Sequence, residues 1–109
     1  MYPVGYNGVG VKIEQTGEFG DWFEKLGDVR ARARIDIRIR RLSLGNFGDT
    51  RYVGDKVLEL RIHYGPGYRV YFCRRGPDSI VIVLGGTKNT QQRDIGRARA
   101  MARELLKPE

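Results

Sequence analysis

Between Leu58 and Phe72 the chain reads LELRIHYGPGYRVYF, with apolar and polar residues alternating on both sides of a Gly-Pro-Gly pivot. A period of two on either side of a turn signature predicts a β-hairpin with one face toward a core. Leu58, Leu60, Ile62 and Tyr64 on its first strand, and Val70 and Phe72 on its second, fall on that core face. Glu59, Arg61, His63, Arg69 and Tyr71 fall on the other, which the alternation assigns to water.

Residues 1–8, MYPVGYNG, carry no periodicity and are expected to form a flexible N-terminal arm, with a single domain over residues 9–107. Val9, Val11 and Ile13 alternate with Gly10, Lys12 and Glu14 and predict a first strand. From Glu18 the period lengthens. Phe19, Trp22, Phe23 and Leu26, at i, i+3, i+4 and i+7, form the core-facing stripe of a helix that ends at Gly27.

The next segment, DVRARARIDIRIRRLSLG, supports two readings. Val29, Ala31, Ala33, Ile35, Ile37 and Ile39 alternate with charged residues as in a long strand. Against a strand, Ala and Arg favour helix, the run exceeds the usual strand length, and Asp28 and Gly45 stand where a helix would be capped and stopped. Wound as a helix, Ala31, Ile35, Ile39 and Leu42 line one side, and Ala33, Ile37 and Leu44 line nearly the opposite one. A helix apolar on two sides needs two partners, which could be the sheet on one side and the preceding helix or a binding protein on the other. Asp36 can pair with Arg32 and Arg40.

NFGDTRYVGD reads as a loop leading into the hairpin, and Gly76-Pro77-Asp78-Ser79 as a tight turn. The uninterrupted run Ile80–Leu84 suggests a central strand buried on both faces. A last helix, capped by Asn89 or Thr90, buries Ile95, Ala98, Ala102 and Leu105. The expected class is α+β, in the order strand, two helices, three antiparallel strands, helix.

Composition narrows the function. Twenty Lys and Arg against thirteen Asp and Glu leave a net charge of +7, which points to an anionic partner, nucleic acid first. Arginine outnumbers lysine, and its guanidinium fork suits phosphate and carboxylate. The arginines between Arg30 and Arg41 are either a nucleic-acid face or a solvated helix surface. With one cysteine, Cys73, and one histidine, His63, neither an internal disulfide nor a Cys/His zinc cluster is expected. A reducing cytoplasm follows as the expected compartment. No apolar run is long enough to cross a bilayer, and the N-terminus lacks a signal-peptide pattern. Gly85-Gly86 belongs to neither phosphate-loop signature, so no nucleotide cofactor is expected.

FGDWFEKL, RARIDIRIRRLSLGNFGD, VLELRIHYGPGYRVYF and IVIVLGGTKNTQQRDIGRA together resemble the RelE/ParE toxin superfamily. More narrowly, they look like the HigB-like, phage-related addiction module killer toxins of bacterial type II toxin-antitoxin systems. The resemblance spans Val9 to Leu106, and its most specific parts are the ELRI…GPGYRVYF hairpin and the GGTK…Q..DI segment. It implies a RelE-like fold and a metal-independent endoribonuclease without cofactor that cuts ribosome-bound mRNA. It also implies a protein antitoxin, usually of helix-turn-helix type. Related ParE members target DNA gyrase instead, so fold alone does not assign activity.

Cleavage of RNA without a metal uses the ribose 2′-hydroxyl as nucleophile. A proton must leave that hydroxyl, charge on the phosphate must be stabilised, and the leaving oxygen must be protonated. By the resemblance, Arg69 matches the hairpin arginine placed at the phosphate, and Lys88 matches a basic residue after the central strand. Arg61 lies on the same strand face as Arg69. The family's C-terminal Tyr or His is missing from MARELLKPE. His63, Tyr71 and Asp94 therefore remain as candidates for proton transfer. The alternatives to catalysis are a gyrase inhibitor, or a decayed toxin acting only in a repressor complex.

Overall fold

The computed structural model describes residues 11–108. The expected arm at residues 1–8 and the strand position Val9 lie outside the described residues. The fold is α+β: a five-stranded mixed sheet with three helices, the last of them C-terminal. The strands are β1 (Lys12–Gln15), β2 (Thr50–Gly54), β3 (Val57–Ile62), β4 (Tyr68–Gly76) and β5 (Ser79–Thr87). The helices are α1 (Gly17–Glu24), α2 (Val29–Ser43) and α3 (Gln91–Leu105). Sheet order is β1-β5-β4-β3-β2, antiparallel throughout except that β1 runs parallel to β5.

The ambiguous arginine-rich segment is a helix. At its start the Asp28 carboxylate accepts from the Arg30 and Ala31 amides at 3.0 and 3.1 Å. At its end Gly45 takes a φ of 85°, its amide donating to Leu42 O and that of Asn46 to Arg41 O. This paired closure is the Schellman arrangement that glycine permits. Between these two ends Ala31, Ile35, Ile39 and Leu42 are fully buried. Asp36 pairs with Arg40 at 3.1 Å.

Two expectations are corrected. The loop reading of NFGDTRYVGD is wrong, because Thr50–Gly54 forms an edge strand, β2, paired with β3. A two-residue turn joins them, with Asp55 and Lys56 both at positive φ (49° and 66°). Arg99 and Arg103 of α3 hold Asp55 at 2.9 and 2.6 Å, which anchors the turn. The antiparallel part of the sheet therefore has four strands rather than three.

The second correction concerns the hairpin face assigned to water. α1 and α2 cover one side of the sheet, where Phe19, Ile35, Ile39 and Leu42 meet Leu60, Ile62, Val70, Phe72, Ile80 and Ile82. α3 covers the other side, where Ala98 and Ala102 pack on Val57, Tyr71, Cys73, Val81 and Val83. Glu59, Tyr71 and Arg69 are buried there, not solvated. β5 is interior as expected, and a register shift opposite Tyr71 and Phe72 turns both Val83 and Leu84 toward α3.

Candidate functional site

Under α3, polar groups satisfy one another. Glu59, fully buried, accepts from the Tyr71 hydroxyl at 3.0 Å, from Gln91 Nε2 at 2.9 Å and from Arg51 at 3.4 Å. Burial, then the Glu59 charge, push the Tyr71 phenol far above its ordinary range. Asp94 accepts from Thr90 Oγ1 at 2.5 Å and lies against Gly86, where a Cβ would come within 2.0 Å of its carboxylate. Gly85 carries the Trp22 ring in the same way, at 2.2 Å. Two adjacent glycines thus let a carboxylate and an indole approach the sheet from opposite faces. Asp94 borders a concavity of about 310 Å³ with Trp22, Arg93 and Arg97. Tyr71 and Asp94 are therefore buried on the α3 side of the sheet, and neither lines the concavity at the hairpin tip.

The tip itself is open. Gly65 and Gly67 adopt positive φ (55° and 82°), as the Gly-Pro-Gly turn requires. The Lys88 amide donates to Gly67 O at 2.8 Å, which ties the turn to the end of β5. His63, Arg69 and Lys88 line one concavity of about 400 Å³ with Tyr64, Gly65, Pro66 and Gly67. Three of the six residues proposed from sequence meet there.

Within that concavity Arg69 is unusual. Its residue is 7 % exposed, its Nη1 donates to Tyr68 O at 3.2 Å, and its Nε has no hydrogen-bond partner. Among the described residues no carboxylate lies within 4.0 Å of its guanidinium, since it forms none of the ion pairs found. A buried cation without a counter-charge is costly and favours an incoming anion.

Arg61 pairs across the strands with Arg69 but is occupied otherwise. Its Nη2 and Nε donate to Asp49 Oδ1 at 2.7 and 3.2 Å, while His63 Nε2 meets Asp49 Oδ2 at 2.6 Å. Asp49 is held in turn through its backbone carbonyl, which accepts from Arg38 at 3.2 Å and from the Arg61 amide at 3.0 Å. The bonds from Arg61 first, and from His63 next, hold the Asp49 carboxyl below its ordinary value of 3.8. Sequence reasoning missed Asp49, which lies in the segment taken for a loop. Its chemistry can orient one imidazole nitrogen and leave the other free to carry a proton. Among the described residues no three His, Cys, Asp or Glu side chains group closely enough to hold a metal ion. No helix among them is long and apolar enough to cross a membrane.

No protein-family model matches the chain. It is similar to an uncharacterized protein of Haemophilus influenzae, with 44 % identity over 95 residues that cover 87 % of this chain and 96 % of the relative. The chain belongs to that protein's family. The match runs nearly the full length of both, so the two share this fold as a whole rather than one motif.

Proposed function

We propose that the chain is a HigB-like toxin of the RelE/ParE superfamily: a metal-independent endoribonuclease that cuts ribosome-bound mRNA and is neutralised by a protein antitoxin of helix-turn-helix type. The observation that carries this reading is the buried, uncompensated Arg69 guanidinium at the wall of an open concavity shared with Lys88 and His63. The mixed sheet, with two helices on one face and a C-terminal helix on the other, supports a RelE-like fold.

In this reading Arg69 and Lys88 stabilise charge on the scissile phosphate. His63, oriented by Asp49, moves the proton of the ribose 2′-hydroxyl. Arg61 acts through Asp49 rather than on the RNA. The exposed arginines of α2 supply a salt-dependent attraction for the rest of the strand.

One observation favours a second reading. With Tyr71 and Asp94 buried at the α3 interface, His63 is the one proposed proton carrier at the concavity, where in-line cleavage needs two transfers. A gyrase inhibitor, or a decayed toxin working in a repressor complex, needs none. Translation-coupled mRNA cleavage by the intact chain and by Arg69→Ala separates the two readings. The ribonuclease reading expects a loss of about 10²–10³-fold on Arg69→Ala. No cleavage by the wild type, together with inhibition of gyrase supercoiling, would replace it with the second.

A further inference from the structure

β1 pairs with β5 along Ser79–Ile82, and the Thr16 hydroxyl carries the contact one residue further, to Val83 O. From Leu84 to Thr87 that edge of β5 has no strand beside it among the described residues. α1 stands over the open edge from one face of the sheet and the start of α3 from the other, and between them lies the concavity of about 310 Å³. Small-ligand sites usually span about 300–1,000 Å³, so this one has room for a single planar ring system.

Its two walls differ in chemistry. Trp22, seated on Gly85 from the α1 side, is half-buried, so part of its indole is open to the concavity. Asp94, seated on Gly86 from the α3 side, has a side chain only 3 % exposed. Thr90 holds its Oδ2, whereas its Oδ1 has only a long contact of 3.4 Å to Arg93. Arg93 itself extends into solvent, and Arg97 pairs with Glu18 across the mouth, tying the two walls together. A bare anion would meet the carboxylates of Asp94 and Glu18. A flat heterocycle with N–H donors along one edge and an anionic tail suits all three features: indole, carboxylate and guanidinium.

We propose that this concavity binds a guanine nucleotide, either free or as one residue of an RNA strand. The base stacks on Trp22, its N1–H and N2–H donate to Asp94, and its phosphate meets Arg93. Guanine alone among the four bases sets two adjacent donors against a carboxylate. Adenine and cytosine place a ring-nitrogen lone pair beside their amino group, and uracil flanks its N3–H with two carbonyls, so each would face Asp94 with a repelling acceptor. Thr87 lines this concavity and Lys88, the next residue, lines the one at the hairpin tip, while Gly86 is the cross-strand partner of Arg69. A guanosine seated here would therefore neighbour the phosphate held at Arg69, a consequence that rests on the ribonuclease reading. Guanine binding itself does not depend on it.

Trp22 is the chain's single tryptophan, so its fluorescence reports the stacking directly. The test titrates the full chain with GMP, IMP, AMP, CMP, UMP, guanosine, inorganic phosphate, and a 2′-O-methyl oligonucleotide carrying one guanine, which no 2′-hydroxyl attack can cut. The expected result is saturable quenching by GMP, at least about tenfold weaker for IMP, which lacks the N2 amino group, and for the other three nucleotides. Arg93→Ala should bring GMP down to the affinity of guanosine. Asp94→Asn, its fold checked by circular dichroism, should erase the preference for guanine. If that variant does not fold, the base series on the wild type and Arg93→Ala decide. No saturable quenching, equal quenching by all bases, a guanine preference that survives Asp94→Asn, or displacement of GMP by inorganic phosphate at equal concentration would overturn the proposal. GMP binding as tightly as the oligonucleotide supports a site for the free nucleotide. Tighter binding of the oligonucleotide, lowered by Arg69→Ala, supports a strand residue. None of these readouts involves cleavage, so an inactive chain would refute the ribonuclease reading without touching this one.

Discussion

Tyr71→Phe removes a single oxygen from the α3 side of the sheet. That oxygen donates to Glu59 at 3.0 Å, and both side chains are wholly buried. After the change Glu59 keeps Gln91 at 2.9 Å and a long contact of 3.4 Å to Arg51, whose side chain is about half in solvent. A hydrogen bond to a charged acceptor contributes about 1.5–3 kcal/mol, and a buried acceptor that loses its donor keeps the desolvation cost. At about 4 °C per kcal/mol for a domain near 100 residues, the melting temperature should fall by about 6–12 °C. Urea denaturation followed by far-ultraviolet circular dichroism measures the change, with an unaltered m-value showing that the same surface unfolds. Under the ribonuclease reading, RNA cleavage assayed where both proteins are folded should stay at the wild-type level. A stability change below about 0.5 kcal/mol, the scale of ordinary surface substitutions, would refute the buried bond. Lost cleavage with intact stability would return Tyr71 to the reacting face.

The two stripes of α2 should respond differently to truncation. Ile35→Ala should cost about 2–5 kcal/mol and Ile37→Ala less than about 0.5 kcal/mol, both read by chemical denaturation. Gly86→Ala forces a methyl into the Asp94 carboxylate and Gly85→Ala forces one into Trp22, so each should lower the melting temperature, with Trp22 fluorescence shifting in the second. Because Arg61 and His63 hold the Asp49 carboxyl below 3.8 in the folded chain, its contribution to stability is present above that value and lost as pH falls through the lower folded value. Asp49→Asn should therefore be less stable than wild type at neutral pH, and the gap should close in urea titrations carried below pH 3.8. A gap independent of pH would show that Asp49 acts by packing alone.

Periodicity identified α1, β3, β4 and α3, and an uninterrupted apolar run identified β5, which is buried on both faces. In α2 the spacing alone was ambiguous, since every second residue from Val29 to Ile39 is apolar. Caps at both ends and burial of one stripe decided for the helix. β2 gave little sign of itself because it is an edge strand with Arg51 and Tyr52 exposed, closed by a turn that puts Asp55 and Lys56, rather than glycine, at positive φ. Alternation along the hairpin correctly separated two faces but could not tell that α3 would cover the second. Glu59 and Tyr71 look like wet-face residues only because what buries them, α3 with its Gln91 donor to Glu59, lies far along the chain. Asp49 was invisible for the same reason. Its role depends on His63 and Arg61 being folded back onto it, and local sequence carries no trace of that.

The parallel pairing of β1 with β5 has a consequence for the order of events during synthesis. Residue 13 finds its strand partner only at residue 80, and the Thr16 hydroxyl that caps α1 donates to Val83 O. Pairings of such long range are slow to form. On the ribosome, the first strand must wait for nearly the whole chain, and Lys88 closes the hairpin tip only once β5 is in place. A chain with this connectivity completes the concavity shared by His63, Arg69 and Lys88 late, so under the ribonuclease reading the unfinished polypeptide has no assembled site with which to act on the ribosome that is making it.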